Sequence, residues 1–146
     1  MHQKGPIMLV SSKKRHEKIV LGFLSYTYDE ETPSLEEQEK VLEAYRQDEA
    51  CQIYLYKNES SDNFLGLAIL LLDQQIQDGN ESKSSTTIII DRVAISPSYR
   101  NEGWGYQMYK EIRTLYPNAA VMGSNQTMET VTAWTHKYRL EQSGAF

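Results

Sequence analysis

Ile88-Ile89-Ile90-Asp91-Arg92-Val93-Ala94-Ile95-Ser96-Pro97-Ser98-Tyr99-Arg100-Asn101-Glu102-Gly103-Trp104-Gly105-Tyr106-Gln107-Met108 reads as a β-branched strand, a proline stop, a polar turn and two glycines that open a helix. The branched residues favour a pleated, half-buried surface, and Pro97 ends the strand. Met108, Ile112 and Leu115 then recur at helical spacing from near Gly103 until Pro117. At such a junction the first N–H groups of the helix have no internal partners and carry the positive end of its dipole, so they form an anion site that glycine lets a phosphate approach. Hydrogen bonds to a charged partner contribute roughly 1.5 to 3 kcal/mol each, and three or four could supply much of a micromolar affinity. Two familiar phosphate loops fail here. The dinucleotide fingerprint needs Gly or Ala where Met108 stands, and a P-loop needs Gly-Lys followed by Ser or Thr. Taken alone, the glycine pair reads first as an ordinary turn.

Upstream, Met8 to Val10 is a short first strand, and Ile19, Val20, Phe23 and Leu24 mark a helix over about residues 15 to 26. Ser34 followed by Glu37 is a capping box that starts a second helix over about residues 35 to 47. Cys51, Ile53 and Leu55 alternate with Gln52, Tyr54 and Tyr56 as a half-buried strand, and Phe64 to Asp73 is a continuous apolar central strand. Gln74 to Ser85, with Asp78-Gly79-Asn80, is predicted as a connecting loop before the strand Thr86 to Ile95. These strands suggest an antiparallel meander. Ala119 to Gly123 is a further short strand, and Met128, Val131, Trp134 and Tyr138 mark a last helix before an eight-residue tail.

The chain has 146 residues, which predicts one domain over 1–146. A net charge of −5 argues against nucleic acid as a partner. The longest apolar stretch, Leu65 to Leu72, is far below the roughly 18 residues of a membrane span, so no membrane association is predicted. The lone Cys51 permits no internal disulfide and suits a cytoplasmic protein; it reads as a buried strand residue. His2, His16 and His136 are scattered without ligand spacing, and no metal is predicted.

Val93-Ala94-Ile95-Ser96-Pro97 followed by Arg100-Asn101-Glu102-Gly103-Trp104-Gly105 resembles the acetyl-CoA signature of the GNAT superfamily of N-acetyltransferases: a β-branched strand, a proline, then Arg-x-x-Gly-x-Gly opening a helix. The resemblance extends over the order of elements from about residue 8 to 138. It implies an α/β (α+β) fold with a mixed central sheet, mostly antiparallel, containing a splayed parallel pair and flanked by about four helices. Lys14-Arg15-His16-Glu17-Lys18-Ile19 leading into Gly22-Phe23-Leu24-Ser25, the short length and the abbreviated C-terminus also resemble the small acetyltransferase-like proteins of bacterial riboflavin operons. The implied co-substrate is acetyl-CoA. Backbone groups of Val93 and Ile95 would pair with its pantetheine arm, and the N–H groups from Asn101 through Glu102, Gly103, Trp104 and Gly105 to Tyr106 would hold its pyrophosphate beside Arg100. Asn125 matches a frequent asparagine near the cofactor arm. The implied partner is a small-molecule or peptide amine, and a homodimer is compatible with the family.

The departures bear on catalysis. Some family members have a glutamate base at the position aligned with Ile89, which cannot take a proton. Asp91, two residues on and so on the same strand face, is the candidate base, directly or through water; the ordinary alternative is a salt bridge or a solvated carboxylate. Many members have a last-helix tyrosine that protonates the departing thiolate, and Trp134-Thr135 stands there instead. Tyr138, one turn later, is the candidate acid, with core packing as the alternative. The acidic run Asp29 to Glu31 is a solvated loop or the border of a site for a cationic acceptor. Three readings follow: an acetyltransferase that works mainly by proximity; a CoA-binding regulatory or interaction module that has lost turnover; or, from the riboflavin-operon resemblance alone, an accessory protein that binds a flavin or its precursor.

Overall fold

The computed structural model describes residues 7–59, 63–76 and 84–144. Strand β1 (Ile7–Ser11) leads through a 3-10 turn (Lys14–His16) into α1 (Glu17–Ser25), and α2 (Leu35–Gln47) follows. Strands β2 (Cys51–Asn58), β3 (Phe64–Ile76) and β4 (Ser84–Ile95) come next. A second 3-10 turn (Pro97–Tyr99) precedes α3 (Trp104–Leu115), β5 (Ala120–Gly123) and α4 (Met128–Gln142). The sheet order is β1-β2-β3-β4-β5, antiparallel except for the parallel β4–β5 pair. This is the mixed sheet the sequence leads one to expect, and among the described residues no strand follows α4.

The central run is apolar throughout because β3 is covered on both faces. Ala68 and Leu70 join Ile88, Ile90, Met108, Tyr109, Ile112, Val121 and Val131 beneath α3 and α4. Leu67 and Ile69 join Val20, Leu24, Leu42, Leu55 and Ala94 beneath α1 and α2. Burying a Leu or Ile side chain fully is worth about 1.5–3 kcal/mol, and Leu67, Ile69, Leu70, Ile88 and Ile90 are all at 0% exposure. Both sheet faces therefore hold the central strands at a fixed height between two helical layers. At the start of α2, the Ser34 hydroxyl accepts the Glu37 N–H at 3.2 Å, as the cap spacing requires.

Three boundaries differ from the sequence reading. The β3–β4 hairpin is longer than predicted: Gln74 pairs with Thr86, Gln75 with Ser85 and Ile76 with Ser84. The ladder is made by backbone groups, so the polar composition that suggested a loop does not prevent it; Asp78-Gly79-Asn80 lies outside the described residues. The first helix begins later, after the 3-10 turn, and the last continues to Gln142 in place of a tail from residue 139.

Candidate active site

The β4–β5 pairing runs only from Thr87–Ala120 to Ile90–Gly123. Beyond Ile90, β4 continues to Ile95 without β5 beside it, so the two strands part and a cleft opens. Ser96 N–H bonds the Leu65 carbonyl on β3 at 2.7 Å. By the alternation of an antiparallel ladder, the backbone groups of Ile95 and Val93 face the opposite, open edge. The cleft has a volume of about 510 Å³ and is floored by Val93, Ala94 and Ile95. Tyr99, Arg100, Asn101, Gly103, Trp104 and Gly105 form one wall, and Thr130 and Trp134 of α4 the other.

Gly103 is the N-cap of α3, in the left-handed region at φ 82°, and no side chain caps the first turn. The anion-attracting end of the helix thus meets the cleft. A side chain at Gly105 would collide with the Trp134 ring, 2.8 Å from where its Cβ would stand, so this glycine lets α3 and α4 close on one another. Asn101 also has positive φ, 65°, which asparagine tolerates better than most residues. Arg100 donates from Nε to the Ile95 carbonyl at 3.1 Å, and its guanidinium lies 5.2 Å above the Tyr26 ring. These contacts hold an exposed cation at the cleft mouth.

Of the ten residues the sequence singles out for the co-substrate, the structure brings Val93, Ile95, Arg100, Asn101, Gly103, Trp104 and Gly105 to this cleft. Glu102 is exposed and outside its lining. Tyr106 has its ring buried and its hydroxyl donating to Glu141, so only its backbone faces the helix start. Asn125 is exposed between β5 and α4, while its neighbours Gln126 and Thr127 line a second cleft.

That second cleft, about 130 Å³, is lined by Tyr26, Thr27, Asp29, Asp91, Arg92, Val93, Gln126, Thr127 and Thr130. It shares Val93 and Thr130 with the first, so the two meet on the signature strand. Its floor is a bulge. Arg92 pairs with Ile69 and Ile90 with Leu70, leaving Asp91 as the extra residue. A regular strand would send Asp91 and Arg92 to opposite faces; the bulge turns both toward α2. The Tyr45 hydroxyl donates to Asp91 Oδ2 at 2.6 Å and accepts from Arg92 Nε at 2.8 Å. Arg92 Nη1 donates to the Thr27 hydroxyl at 2.9 Å. Burial, reinforced by the hydrogen bond to Asp91, pushes the Tyr45 hydroxyl up to about 12, so it stays protonated and donates at neutral pH.

The remaining candidates lie elsewhere. Tyr138 packs edge-on against Tyr109 at 6.0 Å under the Arg113 guanidinium, and is outside both clefts. Thr135 shares a 3.0 Å hydrogen bond with the buried Tyr109 hydroxyl. Cys51 is half-buried, and burial raises its thiol to about 11, which keeps it protonated and unreactive near neutral pH. Tyr45, Thr27 and Arg92 escape the sequence reading. No local signal announces the bulge that recruits Arg92.

A strand pair splayed over a glycine-opened helix defines an acetyltransferase-type α/β fold, and solved structures agree. The protein is similar to a possible acetyltransferase from Clostridium difficile 630, with TM-score 0.66 and 12% identity over 90% of this chain and 89% of that one. It is also similar to the aminoglycoside N-acetyltransferase AAC(6')-Iy in complex with CoA, with TM-score 0.60 and 13% identity over 94% and 89% of the two chains. A glucosamine-6-phosphate N-acetyltransferase from Arabidopsis thaliana gives TM-score 0.58 and 10% identity over 89% and 90%. The chain belongs to the Acetyltransferase (GNAT) family, whose model matches residues 16–133. A relative from Bacillus methanolicus, described as an uncharacterized N-acetyltransferase in the lysA 3' region, is 28% identical over 120 residues, 82% of this chain and 88% of that protein.

Proposed function

We propose that the protein is an acetyl-CoA-dependent N-acetyltransferase that moves the acetyl group to a primary amine by direct transfer in a ternary complex. The observation that carries this reading is the meeting of the two clefts at Val93 and Thr130. The long cleft suits the phosphates at the start of α3 and an extended arm along the open edge of Val93 and Ile95, where the Ile95 carbonyl also accepts Arg100 Nε. The polar cleft suits the amine. At their junction the amine nitrogen attacks the thioester carbonyl and a C–N bond forms; the nitrogen loses a proton, the C–S bond breaks, and the departing thiolate takes up a proton to become CoA. The Ile95 N–H, on the open edge, is available to the oxyanion. Holding the two reactants in line supplies most of the acceleration.

The family membership and the CoA-bound aminoglycoside acetyltransferase of the same fold support the co-substrate. The narrower likeness to riboflavin-operon proteins adds a flavin or flavin precursor to the ligands to be titrated, by fluorescence. A second reading, a CoA-binding module without turnover, is favoured by one observation: neither Ile89 nor Tyr138 places a proton-transfer group at the junction. Initial rates of thiol release from acetyl-CoA over an amine panel separate the two. The proposal expects N-acetylated product and intersecting double-reciprocal lines. Tight acetyl-CoA binding with no product from any amine would establish the module instead.

A further inference from the structure

Arg92 is 8% exposed, yet no ion pair to it occurs among the described residues. A guanidinium has five N–H donors and cannot shed its proton, so burying one is costly unless acceptors and a counter-charge meet it. Here Nε and Nη1 bond to two neutral hydroxyls, those of Tyr45 and Thr27. The Tyr28 and Tyr45 rings lie 4.8 and 5.8 Å from its central carbon and cover its apolar faces. Asp91 reaches Arg92 only through the Tyr45 hydroxyl. Nη2 takes no partner among the described residues, and Arg92 lines the small cleft. A pre-oriented, desolvated cation with a free edge is a site for a planar or tetrahedral anion. The same cleft presents the carboxylates of Asp91 and Asp29, which suit an ammonium. Its volume is about 130 Å³, against about 510 Å³ for the long cleft it joins at Val93 and Thr130.

We propose that the acceptor is a zwitterionic amine, one that carries a carboxylate or phosphate close to its amino group, with Arg92 binding the anion and Asp91 the ammonium. The proposal rests on the transferase reading for the fate of the amine, while binding of the anion at Arg92 stands by itself. The bulge is what makes such recognition available, since it sets opposite charges side by side on one face and within one cleft of the thioester path.

Two matched pairs test it at saturating acetyl-CoA: β-alanine against β-alaninamide, and O-phosphoethanolamine against ethanolamine. The anionic member of at least one pair should show kcat/KM at least tenfold higher, and the pair that does so identifies carboxylate or phosphate. Arg92→Met should erase the ratio while leaving the Kd for acetyl-CoA unchanged, and Arg92→Lys should retain part of it. Equal or better rates with the neutral members, or a preference that survives Arg92→Met, would overturn the proposal. A titration of the wild-type protein with β-alanine and with O-phosphoethanolamine, followed at the Arg92 Nε–H resonance, needs neither turnover nor a variant. A saturable shift with one of them supports the anion site even if no amine is acetylated, in which case the transferase reading fails alone. No shift with either overturns the anion site.

Discussion

Asp91 shows how a single residue separates two mechanisms. An ordinary lysine-like amine has a pKa near 10.4 and is less than about one part in a thousand free base at pH 7. Either Asp91 takes that proton as a base, or it only holds the ammonium and transfer waits for the small fraction of bound amine that loses its proton to solvent. Asp91 accepts the Tyr45 hydroxyl and lines the small cleft, where that hydroxyl links it to Arg92, an arrangement suited to holding an ammonium. The rate of the wild type should therefore climb log-linearly with pH toward the amine pKa. Asp91→Asn should raise the acceptor KM about tenfold and change kcat by less than about threefold. A bell-shaped profile abolished by Asp91→Asn, with kcat reduced by roughly 10² to 10⁴, would instead make Asp91 the base. Asp91 was legible in the sequence because it keeps the parity of Ile89. Arg92 was not, because parity assigns it to the other face and only the unpaired residue opposite Ile69 and Leu70 reverses that assignment.

Among the elements, the start of α3 carries the clearest consequence. Gly103 holds φ 82°, and nothing lies within 4 Å of where a Cβ would stand. Gly103→Ala should thus leave the packing intact and cost about 1–2 kcal/mol from the left-handed backbone alone. Thermal melts read that loss. Calorimetry should show acetyl-CoA binding weakened as well, since Gly103 lines the cleft; an unchanged Kd in the folded variant would remove the helix start from the phosphate site. This junction was readable because proline and glycine act locally: Pro97 ends the strand and Gly103 sets the turn. The β3–β4 hairpin was misjudged because its last rungs, such as Gln75 with Ser85, are polar residues whose pairing depends on the partner strand and on no pattern of their own. Tyr138 has the helical spacing of a site residue, but that spacing also directs it onto Tyr109 and Arg113.

At the scale of the molecule, two helical layers clamp a sheet whose β4 edge is free only where β5 departs, so the central strands and the cleft share one rigid support. Both clefts are then largely formed before ligand arrives, and little binding energy goes to ordering the chain. A net charge of −5 opposes a polyanionic ligand in general, which places the burden of attraction on Arg100 and the uncapped start of α3. The central claim is that this cleft binds acetyl-CoA, and thermal unfolding of the intact protein with and without it tests that claim most directly. At a hundred times its Kd, acetyl-CoA should add about 2.7 kcal/mol to the folded state, a rise in Tm of roughly 8 °C for a chain of this size, and NADH should leave Tm unchanged. An unchanged Tm with acetyl-CoA, or an equal rise with NADH, would contradict the assignment.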